Sequence, residues 1–203
     1  PLVRTASDAT RVITQANLQL QNSTDALYRS AVSTINVSSG RYYVEMNGGS
    51  SYKQLGFCDK DQLGSISTGY GLINPVNSYC YQSNGAVRGN NDNYNDSSAP
   101  SAGSVADTIG MDVDFDARTC QWYVNGETAG NLLDFSAREL ATYTIAACTD
   151  YSGADNTATI NFGQRPFRYP PGTTSPTTAF NTVTYTGTGG TKSITGVGFE
   201  PDL

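Results

Sequence analysis

The chain has 203 residues and no histidine, and its 12 Lys and Arg against 18 Asp and Glu give a formal charge of −6 and a pI near 4.5. The missing imidazole excludes Ser/His/Asp and Cys/His nucleophile systems, histidine zinc sites and histidine proton shuttles. Dispersed basic residues on an acidic chain also argue against a phosphate-neutralising nucleic-acid surface. Paired-carboxylate chemistry survives, and serine–lysine chemistry would have to draw on Lys53, Lys60 or Lys192, the only lysines. Ser, Thr, Asn and Gly number 20, 24, 16 and 21, about 40% of the chain. Such a composition belongs to many short strands joined by turns, because Gly, Asn and Ser supply turn conformations and Thr sits well on a pleated surface.

In chain order the predicted strands are 11–15, 18–21, 42–46, 54–58, 79–82, 105–115, 120–124, 143–148 and 157–162. Asn47-Gly48, Asn84-Gly85 and Asn125-Gly126 are turn signals between them. Only the stretch from Phe135 to Ala141 has helix-forming composition, and it is too short for more than a turn or two. The spacing predicts an all-β fold, an antiparallel two-sheet sandwich, rather than alternating β/α units. From Arg168 to Pro176 prolines and small polar residues replace strand patterning. The expected division is a sandwich over 1–168, a Pro/Gly/Thr linker over 169–178 and the start of a truncated second β element over 179–203. That last part holds two strand-like runs, Phe180 to Tyr185 and Ile194 to Phe199, around a Gly-rich turn. Pro1 to Arg11 has no apolar signal-peptide core, and no apolar run approaches the roughly 20 residues of a membrane span. A start at Pro and a stop just after an apolar run lead us to expect a piece of a longer polypeptide.

Alternation assigns faces. In the run from Cys120 to Val124, the side chains of Cys120, Trp122 and Val124 share one face, expected to be the core, and Gln121 and Tyr123 point the other way. From Met111 to Asp116 the apolar side chains are expected inside and Asp112, Asp114 and Asp116 outside. Cys58, Cys80, Cys120 and Cys148 each lie within an apolar or aromatic run and none has CxxC spacing. They read as free core thiols rather than a disulfide framework or a metal knuckle.

A family becomes visible at this point. Gly40-Arg41-Tyr42-Tyr43-Val44-Glu45 resembles the G-K-x-Y-x-E strand of SPRY domains, and Leu55-Gly56-Phe57-Cys58 the strand that follows it. The run from Ile109 to Asp116, followed by Cys120-Gln121-Trp122-Tyr123-Val124-Asn125-Gly126, is similar to the family's G-x-x-x-D…F-x-x-N-G hairpin. Ala146-Ala147-Cys148 and Ile160-Asn161-Phe162-Gly163 look like its closing strands, so the matches run in order from Leu18 to Phe167. A shorter resemblance links Asn181 to Leu203 with a Gly-rich segment that recurs in tailed-bacteriophage virion proteins. Together the resemblances imply a SPRY-type, concanavalin-like jelly roll in a phage structural protein, without catalytic machinery, whose loops at one edge make contact. They imply that Tyr42, Gly56, Phe57, Gly110, Trp122, Val124, Asn125, Gly126 and Phe162 build the core and its turns.

Two polar loops are candidate ligand sites. Asn91, Asp92, Asn93 and Tyr94 lie in the most polar stretch, and Asp150, Tyr151 and Asp155 offer a similar set. A sugar site wants an aromatic face for the ring's C–H side and amides or carboxylates for its hydroxyls. Asn, Asp and Ser also fill solvated turns with no ligand in view. Asp112, Asp114 and Asp116 are weighed as calcium ligands and set aside, because they lie on one strand and lack the glycine-bearing loop of an EF-hand. No metal and no cofactor is expected. Glycoside hydrolysis needs two opposed carboxyl groups about 5 to 10 Å apart, and Glu45, Glu127, Glu139 and Glu200 are scattered.

The expectation is therefore a non-enzymatic virion protein at the particle exterior, a tail fibre or tail-associated adhesin presenting the sandwich to a host-surface glycan or protein. Its partners would be other virion proteins, host cell-surface glycan and further copies of itself within the virion, with no nucleic acid and no membrane insertion. A capsid-decorating or fibre-joining module is the alternative, and a polysaccharide hydrolase a third option.

Overall fold

The computed structural model describes residues 2–4, 11–14, 18–22, 29–49, 52–66, 71–91, 94–104, 106–149 and 157–170. Three short strands come first: β1 (Leu2–Arg4), β2 (Arg11–Thr14) and β3 (Gln19–Asn22). β4 (Arg29–Val37) then arches over to β5 (Arg41–Gly48), and β6 (Lys53–Asp59) runs into a 3-10 turn over Lys60–Ser65. β7 (Ser78–Gln82), β8 (Ala86–Gly89) and β9 (Tyr94–Asp96) follow. β10 (Thr108–Asp114), β11 (Thr119–Val124) and β12 (Glu127–Asp134) form a meander, and β13 (Tyr143–Thr149) and β14 (Thr157–Asn161) complete the set.

These strands make two seven-stranded sheets, β1-β4-β13-β6-β7-β8-β9 and β12-β11-β10-β5-β14-β3-β2. Every pairing is antiparallel, as the sandwich reading expects. The nine expected strands are all present, with shifted ends. The sixth of them starts at Thr108 rather than 105, because Asp107 and Ser104 close a turn on each other through the Asp107 amide and the Ser104 amide. β1, β4, β8, β9 and β12 went unread in the sequence.

One local expectation holds and one is corrected. Phe135 to Ala141 makes no more than one turn: Asp134 caps the Ser136 amide, Arg138 N–H closes that turn on the Phe135 carbonyl, and the Phe135 ring is drawn into the core. Asn47-Gly48 is not a hairpin turn but the end of β5, still paired with β14 and β10. Asn125-Gly126 does turn the β11–β12 hairpin, with φ of 52° and 89°, the left-handed pair that a tight primed turn requires.

The core lies between the sheets and is aromatic at its centre. The Phe57 ring stacks parallel to the Trp122 indole at 6.5 Å and meets Phe115, Phe135 and Tyr143 at 5.1 to 5.5 Å. Trp122 is fully buried, and its indole N–H donates to the Leu55 carbonyl across the sandwich at 3.0 Å. The expected alternation holds along β11: Cys120, Trp122 and Val124 are buried and Gln121 and Tyr123 half-buried on the opposite face.

The first sheet is covered on both sides. Leu63, Ile66, Leu72 and Ile73 pack over its outer face onto Val32, Cys80 and Ala146. That third layer explains why β6, β7 and β13 are buried almost throughout and read as mixed apolar and small polar runs rather than alternating ones. All four cysteines are free and buried, as read. Burial pushes the Cys58 thiol up to about 12 and Cys80 and Cys120 well above their ordinary value.

Lys53 is fully buried at one end of the sandwich. Its ammonium donates to the carbonyls of Gly48, Ser104 and Asp107 at 2.9 to 3.1 Å, so three dipoles replace its hydration shell. Burial lowers its pKa to about 8, opposed by the charge of Asp107.

Candidate ligand-binding site

The outer face of the second sheet is crossed by the segment after β14. Asn161 starts the crossing: its carboxamide oxygen accepts from the Gly163 amide, and its NH2 donates to the carbonyls of Arg165 and Pro166. The segment then runs as a strap over β5 and β10 to Pro170. Phe167 packs edge-on against the Tyr43 ring at 4.9 Å, and Tyr169 seats against Gly126, where a β-carbon would collide with its ring.

Glu45 is the principal anchor. Its side chain is fully buried, one oxygen accepting from the Arg168 amide at 2.8 Å and the other from the Tyr169 amide at 2.6 Å. The Tyr43 hydroxyl donates to the Tyr169 carbonyl at 2.5 Å and lies 3.5 Å from the same carboxylate. Burial first, then the Glu45 charge, holds the Tyr43 phenol well above the ordinary tyrosine range, so it stays a donor. Gly110 makes this possible, since a β-carbon there would strike the Tyr43 ring. Tyr169, which composition assigned to the linker, is thus fastened to the sandwich.

Between the strap and the strand face lies a polar recess of about 420 Å³. Asn47 of β5, Thr157, Thr159 and Asn161 of β14, and Arg165 and Arg168 of the strap line it, with Glu45 among the lining side chains. A second concavity of about 440 Å³ is apolar and opens between the sheets near the β4–β5 arch, lined by Val37, Tyr42, Val44, Ile145 and Phe162.

That groove corrects one core expectation. Tyr42 is 39% exposed, because its ring touches Phe115 at 6.1 Å and otherwise faces the groove. Gly56, Phe57, Gly110, Trp122 and Val124 are buried, Phe162 packs partly buried against the core, and Asn125 and Gly126 occupy the exposed turn. Asp112 is not solvated as expected: it is nearly buried and takes both donors of Arg41, at 2.9 and 2.6 Å. Asp114 caps the turn that follows β10, accepting from the amides of Asp116 and Ala117, and Asp116 is exposed.

Of the loop residues proposed for ligand contact, Asn91 is exposed at φ 56°. Tyr94 turns inward, edge-on to Tyr79 at 5.9 Å, and burial raises its pKa. Its neighbour Asp96 accepts from the backbone and side-chain N–H of Asn131 at 3.0 Å, tying the last strand of one sheet to β12 of the other. Asp92, Asn93, Asp150, Tyr151 and Asp155 lie outside the described residues. Sequence reasoning missed the strap and its recess. The available signal was Glu45 placed at the centre of a strand, followed far downstream by the aromatic and basic run from Arg165 to Tyr169.

Two antiparallel sheets packed face to face around one core define a concanavalin-like jelly-roll sandwich. Within that class the fold is that of SPRY domains. The SPRY domain of human HERC1 superposes with a TM-score of 0.58 at 15% identity, covering 77% of this chain and 94% of that one. A human SPRY domain gives 0.55 at 11% identity over 82% and 99% of the two chains. The TRIM65 PSpry domain gives 0.57 at 10% identity over 79% and 90%. No protein-family model and no curated protein matches the sequence. Among the described residues no helix is long and apolar enough to cross a membrane.

Proposed function

We propose that the chain is a non-catalytic binding module of a bacteriophage virion protein, a tail fibre or tail-associated adhesin that presents its SPRY-fold sandwich to the host surface. The observation that carries the binding reading is the preformed polar recess under the strap. Its buried carboxylate, Glu45, has both oxygens committed to backbone amides. A group so occupied builds a site and is poorly placed to exchange protons with a substrate. The virion part of the reading draws on the resemblance of Asn181 to Leu203 to phage structural segments. The exterior of the particle, and self-assembly there, follow from that role.

An antibody raised against the sandwich should label intact phage particles at the tail and reduce their adsorption to cells. Purified particles that lack the chain would end the virion reading.

A second reading, a capsid-decorating or fibre-joining module, is favoured by the apolar groove, where Ile35 and Tyr42 are 57% and 39% exposed. Ile35→Asp would then block particle assembly while leaving adsorption of assembled particles untouched.

A further inference from the structure

We propose that the recess beneath the strap is a site for an anionic saccharide, a sugar unit bearing a carboxylate or phosphate group; the inference rests on the reading of the sandwich as a binding module and names its ligand class. Three observations carry it.

The first is local charge. Arg165 and Arg168 both line the recess, both are exposed, and among the described residues neither forms an ion pair. The one carboxylate there, Glu45, is buried with both oxygens occupied by the amides of Arg168 and Tyr169. Two guanidiniums against one buried carboxylate give the recess an excess of positive charge on a chain whose formal charge is −6. Guanidinium forks match carboxylate and phosphate oxygens in pairs. The acidic remainder of the molecule repels diffuse polyanions, so an anion held here is held by short-range geometry.

The second is the chemistry of the walls. Thr157 and Thr159 lie two apart on β14, roughly 7 Å from each other along the strand, and face the recess with Asn47 across on β5. Hydroxyls and an amide in a row suit a polyol. A peptide of mixed side chains would look for apolar walls, and those belong to the other concavity.

The third is rigidity. The Arg168 amide is fixed by Glu45 and the Arg165 carbonyl by Asn161, so both arginines stand on an anchored backbone. Preorganised donors bind more tightly because less freedom is lost.

The test uses the 203-residue chain in calorimetric titration against oligogalacturonate, a phosphomannan, neutral dextran and a poly-glutamate peptide. One of the two anionic glycan-type probes should bind, dextran should bind more weakly, and Arg165→Ala and Arg168→Ala should each weaken the anionic probe by about tenfold or more. The tighter of the two probes identifies the anion. Equal binding of dextran, anionic binding unchanged in both variants, no binding to any saccharide, or equal Arg-dependent binding of poly-glutamate would each overturn the proposal. Failure here with the chain present on particles leaves the virion reading standing. Arg-dependent saccharide binding by a chain absent from particles does the reverse.

Discussion

Replacing Glu45 by alanine deletes both side-chain acceptors that hold the strap and leaves the fold of the sandwich otherwise intact. Each amide-to-carboxylate hydrogen bond is worth about 1.5 to 3 kcal/mol. The strap can lift and rehydrate the amides of Arg168 and Tyr169, so the loss is expected near the lower end for the pair, about 3 kcal/mol. For a domain of this size that corresponds to a fall in Tm of about 6 to 12 °C. Locally it corresponds to roughly hundredfold faster amide exchange at those two residues. Glu45→Gln, which keeps one acceptor and turns an NH2 toward the other amide, should fall between wild type and alanine. Hydrogen exchange read by NMR or mass spectrometry over residues 160–172, together with a melt followed by the fluorescence of Trp122, measures both effects. Unchanged exchange at Arg168 and Tyr169 in the alanine variant would show that the strap does not depend on Glu45.

Three more outcomes are expected. Gly56→Ala and Gly89→Ala place a β-carbon against the backbone carbonyls of Tyr79 and Ser78, so each should cost several kcal/mol, about 3 or more, in urea unfolding. Gly64→Ala, which meets nothing within 4 Å, should be near neutral; equal effects at all three sites would contradict the packing argument. Alkaline pH should destabilise the protein. Unfolded thiols ionise near 8.5, whereas Cys58 in the fold is pushed up to about 12 and Cys80 and Cys120 are also raised, so the unfolded chain gives up protons that the fold retains. Lys53 acts in the opposite sense between about 8 and its unfolded value near 10.4, and three thiols outweigh it. The net loss should be about 2 to 3 kcal/mol per pH unit between about pH 9 and 10, and a urea midpoint that stays flat over that range would refute it. Lys53→Met strands the carbonyls of Gly48, Ser104 and Asp107 and should cost about 2 to 4 kcal/mol, with faster exchange confined at first to residues 104–108. A variant as stable as wild type would mean that the ammonium contributes nothing net.

The strands that proved readable are those with alternating or apolar runs, such as β10 and β11, where one face meets the core and the other meets water or polar neighbours. β4 escaped notice because Ser33 pairs with Thr144 and Ser30 with the Cys148 thiol across the first sheet, so its buried face is partly polar in composition. β12 escaped because its free edge leaves Glu127, Thr128, Asn131, Leu132 and Asp134 exposed. The third layer over the first sheet was hidden for a related reason: Leu72 and Ile73 lie among turn residues, and nothing local says that a turn is a lid on a sheet.

The recess was the least legible part. Glu45 looked like one scattered carboxylate in a search for catalytic pairs, and its partners are backbone amides more than 120 residues away, which carry no side-chain signature. Tyr94 was chosen for its exposed-looking polar surroundings, and its ring packs on Tyr79 because β9 needs an inward residue to close the edge of the sheet. Composition identified polar loops as free to recognise something. It did not show that a polar floor can also be built on the face of a sheet by laying a strap across it.

The strap also sits in the line of load. Tension applied to the chain beyond Pro170 reaches the Tyr169 carbonyl on Tyr43 and the two amides on Glu45 before it reaches the ladder of β14. These contacts act as a mechanical fuse. They can part and re-form while the aromatic core around Phe57 and Trp122 stays closed, and their parting would open the recess at the same moment. A pull on the C-terminal side would thereby move the walls of the recess.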